Sequence, residues 1–393
     1  MRRLTAPGRL RMRWNGPGLR FLVALQVCGS AAVVHAQDVP RFEAAGEGGD
    51  FPVSVPSSWD ATVGYLVVWE DRSARTTTIR LPVAIVHAMQ DSGADPVLFL
   101  TGGPGSGSLA PAAFPGAYPW TGNRDFSVLG HRGTQHALPS LECPEIEDAF
   151  SESYLRLTGR DRDARLAAGA SACRSRLEAS GVDLSAYHTD AITEDVVDLA
   201  AVLGEASFTL FGLSYGTRVA LDLARDHPEL VSAMVLDSPL PPDVRYDDES
   251  SRNFKRSLEG IAADCAALPA CSRAFPDLRT RFFGALQEAA SDPITLSVRD
   301  GMDPVDFDAA RLAALVNTGS PGGIRAAPLA MHAIASGDPS RIRTLVSAEY
   351  SGSGFAWGMR LSVWCSEAWP FSDRSSASGP DDALFGYESA AVP

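Results

Sequence analysis

The chain has 393 residues, of which 45% are hydrophobic and 21% are charged, so it is long enough for one large core and a smaller appended domain. Its formal net charge is −14, although the first 36 residues contain six arginines and no acidic residue. Such an acidic body repels nucleic acid and anionic lipid, which excludes both as partners.

The N-terminus has the pattern of a secretory signal peptide. Its arginines are followed by an apolar run at residues 21–28 and by small residues up to Ala36. We expect residues 1–36 to be a signal peptide that is cleaved after Ala36, and the mature protein to be secreted or periplasmic. A lipoprotein signal ending at Cys28 is the alternative. The apolar run is too short to span a membrane, and no other transmembrane segment is expected.

The next part of the chain predicts a series of strands. Residues 37–59 are punctuated by Gly, Pro and Ser and are expected to be a surface lead-in. Apolar runs at residues 64–69, 78–86, 96–100 and 126–130 predict strands. The third of these strands leads directly into a glycine-rich loop at residues 101–108.

Farther along the chain, helical and strand patterns alternate. Helices are expected around residues 153–180 and over residues 192–203, where apolar residues recur at helical spacing and Gly204 ends the pattern. A strand before Ser214, a helix up to Asp226 and a strand at 231–237 follow. This alternation predicts an α/β fold with a mostly parallel sheet that is covered on both faces.

The alternation stops after residue 242. Apolar stripes at helical spacing over residues 254–265 and 278–286 predict helices in the following part. We expect residues 37–242 to form the core and residues 243–365 to form a helical insertion, which lies as a lid over the carboxyl edge of the sheet. Residues 366–393 are then the start of the return to the core.

The most specific motif is Gly212-Leu-Ser214-Tyr-Gly216, between a predicted strand and a predicted helix. This order is typical of the nucleophile elbow of an α/β-hydrolase, in which glycines permit a sharp turn that exposes the serine. Acyl transfer also needs donors for an oxyanion. We therefore expect Ser214 to be the catalytic nucleophile. The N–H groups of Gly103, in the glycine-rich loop, and of Tyr215 are expected to form the oxyanion hole.

Several further motifs accompany the elbow. They are Gly-Gly-Pro-Gly at residues 102–105, Arg-Gly at 132–133, Leu-x-Cys-Pro-Glu at 141–145, His-Pro-Glu at 227–229, Val-Leu-Asp at 235–237 and Cys-Ser-Glu at 365–367. Together with the elbow they resemble the secreted tripeptidyl and prolyl aminopeptidase group of α/β-hydrolases, from about residue 62 onward. The resemblance implies a serine peptidase that removes single residues or short peptides from free N-termini.

The chain departs from that family in its loop at residues 130–137 and in its catalytic acid and base. The family's Asp-x-Arg-Gly-x-Gly-x-Ser segment reads Gly-His-Arg-Gly-Thr-Gln-His-Ala here. In this fold the acid and then the histidine follow the serine, but only His227 and His332 follow Ser214. Both are expected to be structural, His131 would be a base of another kind, and Asp237 is expected to be structural.

The core is therefore expected to be incomplete at residue 393. The residues after Cys365 are too few for two more strands with their helices, since one strand–helix–strand unit takes about 30 residues or more. The catalytic acid and histidine are expected beyond Pro393. The chain as written is expected to be inactive and to expose an apolar sheet edge that associates with other chains.

Cysteine spacing predicts two disulfides in an exported protein. Cys265 and Cys271 flank a turn and are expected to be joined, Cys143 with Cys173 is the second expected pair, and Cys365 is left free. No metal is expected, because the chain has no Cys-x-x-Cys or His-x-x-x-His pair. No cofactor is expected either.

The sequence thus predicts an exported aminopeptidase that uses acyl-enzyme chemistry on a peptide substrate with a free N-terminus. Glu367, which lies between two tryptophans, is a candidate for binding the substrate's α-amino group. An esterase or lactone hydrolase on the same fold, and a non-catalytic binding protein that lacks the base, are the alternatives. The sequence carries no signal for an oligomeric state.

Overall fold

The computed structural model describes residues 39–46, 51–90, 92–156, 159–298, 304–346 and 355–373. The expected signal peptide, its lipoprotein alternative at Cys28 and the expected return segment beyond residue 373 lie outside these ranges. Within the described ranges, no helix combines the length and the apolar character that crossing a bilayer requires.

A seven-stranded mixed sheet forms the centre of the molecule. Its strands lie in the order β1-β2-β3-β5-β4-β6-β7. The neighbours β5, β4, β6 and β7 are parallel, whereas β1, β2 and β3 pair antiparallel. The strands are β1 (Arg41–Ala44), β2 (Ala61–Trp69), β3 (Thr78–Val86), β4 (Val97–Leu100), β5 (Phe126–Leu129), β6 (Phe208–Leu213) and β7 (Val231–Asp237).

Four helices accompany this sheet along the chain. They are α1 (Pro144–Arg156), α2 (Gly159–Ala179), α3 (Thr189–Leu203) and α4 (Tyr215–Asp226). Side chains of β4 alternate between two apolar clusters: Leu98 and Leu100 pack with α3 and α4, whereas Val97 and Phe99 pack with residues of β5 and the turns at 110–122. Both faces of the central strands are thus buried, as the apolar runs predicted.

The lead-in expected at residues 37–59 contains a strand that the sequence pattern did not indicate. β1 pairs with β2 over four residues and forms one edge of the sheet. This close pairing depends on Gly64, because a Cβ at that position would overlap the carbonyl oxygen of Glu43. The four residues of β1 show no strong alternation of apolar and polar side chains, so only the pairing with β2 identifies them as a strand.

The region after β7 has an apolar cluster of its own. It contains α5 (Tyr246–Ala267), α6 (Pro269–Ala274), α7 (Leu278–Ala289), β8 (Ile294–Leu296), β9 (Val305–Phe307), α8 (Ala309–Ala314), α9 (Pro321–Ala335) and α10 (Pro339–Val346). The two strands form an antiparallel pair. They differ from the purely helical pattern expected, because three-residue strands are too short to produce a recognisable alternation.

The last described α-helix is α11 (Trp357–Glu367). It packs on the cluster that contains Leu98 and Leu100 of β4, and not on the cluster of the region after β7. Met359 and Val363 are buried among residues of that core. Gly358 permits close contact, because its N–H donates to the carbonyl oxygen of Leu141 at 2.9 Å and a Cβ would lie 2.8 Å from that oxygen. This helix therefore returns the chain to the sheet before residue 365.

β7 forms the other edge of the sheet within the described residues. Most of its residues are exposed, and Val235 retains 51% of its accessible surface. Apolar side chains on an edge strand are a surface on which other chains can pair.

Both expected disulfides are confirmed. Cys143 is joined to Cys173, which links the start of α1 to α2, and Cys265 is joined to Cys271 across the turn between α5 and α6. Cys365 is a free thiol on α11. The spacing argument succeeded because both pairs are closed by short stretches of local structure.

Candidate active site

Ser214 lies between β6 and α4 in a backbone conformation that non-glycine residues rarely adopt. Its φ is 53° and its ψ is −118°. The flanking glycines make this turn sterically feasible: a Cβ at Gly216 would overlap the carbonyl oxygen of Leu100, and one at Gly212 would lie 2.9 Å from that of Gly216. The turn therefore has the strained geometry of a nucleophile elbow.

Backbone hydrogen bonds fix this conformation of Ser214. Its N–H donates to the carbonyl oxygen of Asp237, at the end of β7, at 2.8 Å. Its carbonyl oxygen accepts the N–H of Thr217 at 2.9 Å and the hydroxyl of the same residue at 2.5 Å. The Ser214 Oγ, by contrast, makes no hydrogen bond with any described residue, so it is free to meet a ligand.

The glycine-rich loop after β4 lies directly against the serine. A Cβ at Gly102 would lie 3.0 Å from the Ser214 Cβ and 3.5 Å from its Oγ. Gly103 follows with φ 116°, and its carbonyl oxygen accepts a hydrogen bond from the Arg360 guanidinium at 3.2 Å. At Gly105, a Cβ would lie 2.7 Å from the backbone oxygen of Ala356. The chain entering α11 therefore covers this loop.

The two expected oxyanion donors have free N–H groups. Within the described residues, neither the N–H of Gly103 nor that of Tyr215 donates to another backbone group or side chain. Tyr215 is the first residue of α4, where helix geometry leaves N–H groups without intrahelical partners and the helix dipole favours negative charge. Both N–H groups are therefore free to meet a ligand, as the Ser214 Oγ is.

The side chain of Tyr215 has a separate, structural role. It is fully buried, and its hydroxyl is 2.8 Å from the Thr189 Oγ1. Burial, with a smaller contribution from the negative charge of Glu367, raises the pKa of the Tyr215 phenol above its ordinary value. The phenol is therefore neutral at physiological pH and anchors α4 to the start of α3.

Glu367 lies at that same junction. One of its carboxylate oxygens accepts the backbone N–H of Thr189 at 2.6 Å, and the other accepts the Thr189 hydroxyl at 2.5 Å. Its second oxygen is 3.8 Å from Nη1 of Arg218. A substrate amine at Glu367 would have to share oxygens that already bind Thr189, although each oxygen has a second lone pair to offer.

His131, which follows the end of β5, is the described histidine that most resembles a buried active-site histidine. It is fully buried, and its Nε2 has no hydrogen-bond partner within the described residues. Burial lowers the pKa of His131 to about 4, and the negative charge of Asp195 offsets this only in part. The imidazole is therefore neutral at physiological pH, but it makes no hydrogen bond to Ser214.

The later histidines and Asp237 also have other contacts. His227 lies at the end of α4, and its Nε2 is 2.9 Å from a carboxylate oxygen of Glu194 in α3. His332, in α9, lies against the ring of Phe275 with centroids 5.1 Å apart. The Asp237 carboxylate accepts from the Ser238 hydroxyl at 3.0 Å. Neither histidine is hydrogen-bonded to Ser214, and the expectation that both are structural stays a prediction.

The Arg-Gly loop has a partner that sequence reasoning missed. Arg132 is fully buried and donates to both carboxylate oxygens of Asp195, at 2.8 and 2.7 Å, while Arg72 binds the same carboxylate at 2.6 Å. Burial alone would raise the pKa of Asp195, but the two arginines outweigh it and hold that pKa below its ordinary value. The sequence did offer one signal for this ion pair, because Asp195 is an acidic residue within the apolar face of α3.

The middle of the chain matches a known fold family. A profile of the alpha/beta hydrolase fold matches residues 95–274, a range that includes the glycine-rich loop, the elbow and β7. The strand order, the turn at Ser214 and this match agree with one another.

Curated relatives match a shorter part of the chain. Serine protease Hip1 from Mycobacterium tuberculosis is 29% identical over 106 residues, which is 26% of this chain and 20% of that protein, and the protein of the same name from Mycobacterium bovis matches equally. The matched segment is thus a fifth of the length of these relatives.

Solved structures with partial similarity include a proline iminopeptidase-related protein from Thermus thermophilus. It is 21% identical, with a TM-score of 0.31 and coverage of 50% of each chain. A putative epoxide hydrolase from Pseudomonas aeruginosa is 19% identical, with a TM-score of 0.29 and coverage of 75% of this chain and 73% of its own.

Proposed function

Because the chain has the α/β-hydrolase fold with a serine at its elbow, we propose that it is a serine hydrolase whose nucleophile is Ser214. The observation that carries this proposal is the backbone of Ser214, held at φ 53° with its Oγ free of hydrogen bonds to the described residues. A strained conformation that several hydrogen bonds maintain is typical of functional sites. Free N–H groups at Tyr215 and Gly103 supply the oxyanion donors that such a reaction needs.

The proposed reaction is acyl transfer in two steps. The Ser214 Oγ attacks a carbonyl carbon, a C–O bond forms, the scissile C–N bond breaks, and the Oγ proton passes through a general base to the leaving amine. Water then hydrolyses the acyl-enzyme and frees the serine. No described histidine is hydrogen-bonded to Oγ, and the proposal assigns the general base to none of the described residues.

More narrowly, we propose an exported aminopeptidase that acts on peptides with a free N-terminus. Support comes from the family resemblance of the motifs and from the partial likeness to Serine protease Hip1. The two disulfides support export, because disulfides persist in oxidising compartments. Glu367 is the proposed ligand of the substrate's α-amino group, shared with Thr189.

A fluorophosphonate probe tests the assignment of the nucleophile. In the parent polypeptide, we expect labelling at Ser214, and Ser214→Ala should lose both labelling and hydrolysis, by up to about a millionfold in kcat. Ser238→Ala is the matched control, because Ser238 also has a positive φ, of 56°, but lies after β7. Undiminished labelling of Ser214→Ala would refute the assignment.

A non-catalytic binding protein is the second candidate. The observation that favours it is the Ser214 Oγ without a hydrogen-bonded base in the described part of the chain. A wild-type protein that the probe does not label, yet binds peptides, would support this candidate. Hydrolysis of acyl esters but not of aminoacyl amides would instead support an esterase or lactone hydrolase on the same fold.

A further inference from the structure

A cavity of about 390 Å³ lies between the start of α3, the middle of α4 and the end of α11. Its lining includes Arg218, one helical turn after Ser214, together with Asp190, Leu184 and Ser362. Ser214 is not among the described residues that line it. Glu367, the proposed ligand of the substrate's α-amino group, does line it.

Arg218 is the unusual residue of this cavity. Its side chain is only 7% exposed, yet its Nε has no hydrogen-bond partner among the described residues, and its nearest carboxylate oxygen there, on Glu367, is 3.8 Å from Nη1. That separation exceeds hydrogen-bonding distance. A guanidinium carries five N–H donors, and a buried one without hydrogen bonds is costly to the folded protein.

The other charged groups around Arg218 already have partners. Glu367 accepts two hydrogen bonds from Thr189. Asp222 accepts from the Thr193 hydroxyl at 2.8 Å and pairs with Arg225. These carboxylates already have hydrogen-bond partners, and the donors of Arg218 stay available to a molecule that enters the cavity.

One lining carboxylate has no such partner. Asp190 is exposed and makes no hydrogen bond or ion pair with any described residue. The cavity thus offers a guanidinium whose buried Nε has no hydrogen-bond partner among the described residues, and an exposed carboxylate that can exchange water for a ligand's ammonium group. A dianion such as sulfate would be repelled by the three lining carboxylates, whereas a zwitterion would satisfy groups of both signs.

We propose that this cavity is a binding site for a free α-amino acid or a comparably small zwitterion. Arg218 binds the carboxylate of the ligand, for which its planar fork of donors is suited. Asp190 accepts the ammonium group. Ser214 does not line this site, but Glu367 does, so the proposal rests in part on the proposed function of Glu367, whereas its binding test needs no hydrolase activity.

The binding test uses three probes that differ by one charged group. L-Alanine carries both charges, propionate lacks the ammonium group and ethylamine lacks the carboxylate. Saturation-transfer NMR and calorimetry on the full chain should show binding in the order alanine, propionate, ethylamine. No detectable binding of alanine up to about 50 mM, or ethylamine binding as tightly as alanine, would overturn the proposal.

Variants locate the site. Arg218→Met should weaken the binding of alanine and propionate by about tenfold or more, whereas Arg279→Met is the control that retains it, because Arg279 lies in α7 and does not line the cavity. Asp190→Asn should remove the preference for alanine over propionate. Unchanged alanine binding by Arg218→Met would exclude Arg218 as its ligand.

The folding stability of the same variants separates a ligand site from a structural one. Because Arg218 makes no hydrogen bond to the described residues, Arg218→Met should have a melting temperature equal to or above that of the wild type. A melting temperature below that of the wild type would overturn the proposal. Arg218→Lys, which keeps the charge but loses the fork, should bind alanine more weakly than the wild type, and wild-type affinity in this variant would contradict the role of the fork.

Discussion

At the scale of single residues, the geometry of the elbow depends on glycines, because they have no Cβ atom. Gly216 lies where α4 meets the end of β4, and no side chain fits between its Cα and the carbonyl oxygen of Leu100. The loop at residues 102–105 depends on glycine for the same reason. The glycines of the motif are required by close backbone approach, so the elbow could be predicted without the structure.

A Gly216→Ala substitution should therefore destabilise the protein by about 1–3 kcal/mol and disturb Ser214. Gly260→Ala is the matched control, because Gly260 lies within α5 and a Cβ there would have no neighbour within 4 Å. The control should raise stability by about 0.5–1 kcal/mol, as alanine favours helices. Urea denaturation measures both, and equal effects of the two substitutions would contradict the steric account.

His131 should make stability depend on pH. Its pKa falls from 6.5 to about 4 on folding, so the unfolded chain binds the proton more tightly. The stabilisation is fully present above pH 6.5 and is lost as the pH falls towards 4, with a slope of up to about 1.4 kcal/mol per pH unit.

Replacing His131 by Asn should flatten that slope, whereas replacing the exposed His136 should leave it unchanged. Denaturation midpoints at several pH values between 6.5 and 4 provide the measurement. A slope that persists in full in His131→Asn would mean that other groups account for the acid sensitivity.

At the scale of elements, α11 connects the parts around the candidate site. Arg360 donates to the loop at Gly103, the Trp364 indole donates to Asp247 of α5 at 2.7 Å, and Glu367 binds the start of α3. These three residues recur at near-helical spacing and project from one side of the helix. The Glu367 carboxylate lies at the N-terminus of α3, where the helix dipole also stabilises a negative charge.

Glu367→Gln tests whether that side of α11 also binds substrate. If Glu367 binds the α-amino group, the substitution should raise KM selectively for substrates with a free amine and leave N-acetylated esters unaffected, because only the charge is lost. Glu288→Gln, on an exposed part of α7, is the control. Equal effects on both substrate classes would assign Glu367 to positioning of α3 alone.

At the scale of the whole molecule, two of the three apolar clusters formed by the described residues contain bonded cysteines. The first surrounds the sheet and includes Cys143 and Cys173, and the second lies within the helical region after β7 and includes Cys265. The separation between the bonded cysteines is 30 residues in the first cluster and 6 in the second. The first disulfide therefore restricts the unfolded chain more.

Replacing both Cys143 and Cys173 by serine should lower the free energy of unfolding by about 3.6 kcal/mol on the loop-entropy account. The double replacement of Cys265 and Cys271 should cost about 2.2 kcal/mol on the same account. Calorimetry of the two double variants tests the order, and a larger loss for the shorter loop would show that native-state contacts outweigh chain entropy.

Much of this molecule could be predicted from local sequence patterns. The strands at residues 64–100, the helix ending at Gly204, the elbow at Ser214 and both disulfides follow from apolar period, glycine sterics and short loop closure. Each of these effects acts between residues that are close in the chain. The α/β-hydrolase fold was therefore correct at the level of the sequence.

The long-range contacts were decided only by the tertiary structure. Arg132 meets Asp195 across 63 residues, and Glu367 meets Thr189 across 178. The burial of His131 and the unsatisfied Arg218 also depend on which elements pack around them. A charged residue has no periodicity that reveals its partner, because the free energy of an ion pair depends on distance and burial, which the fold alone determines.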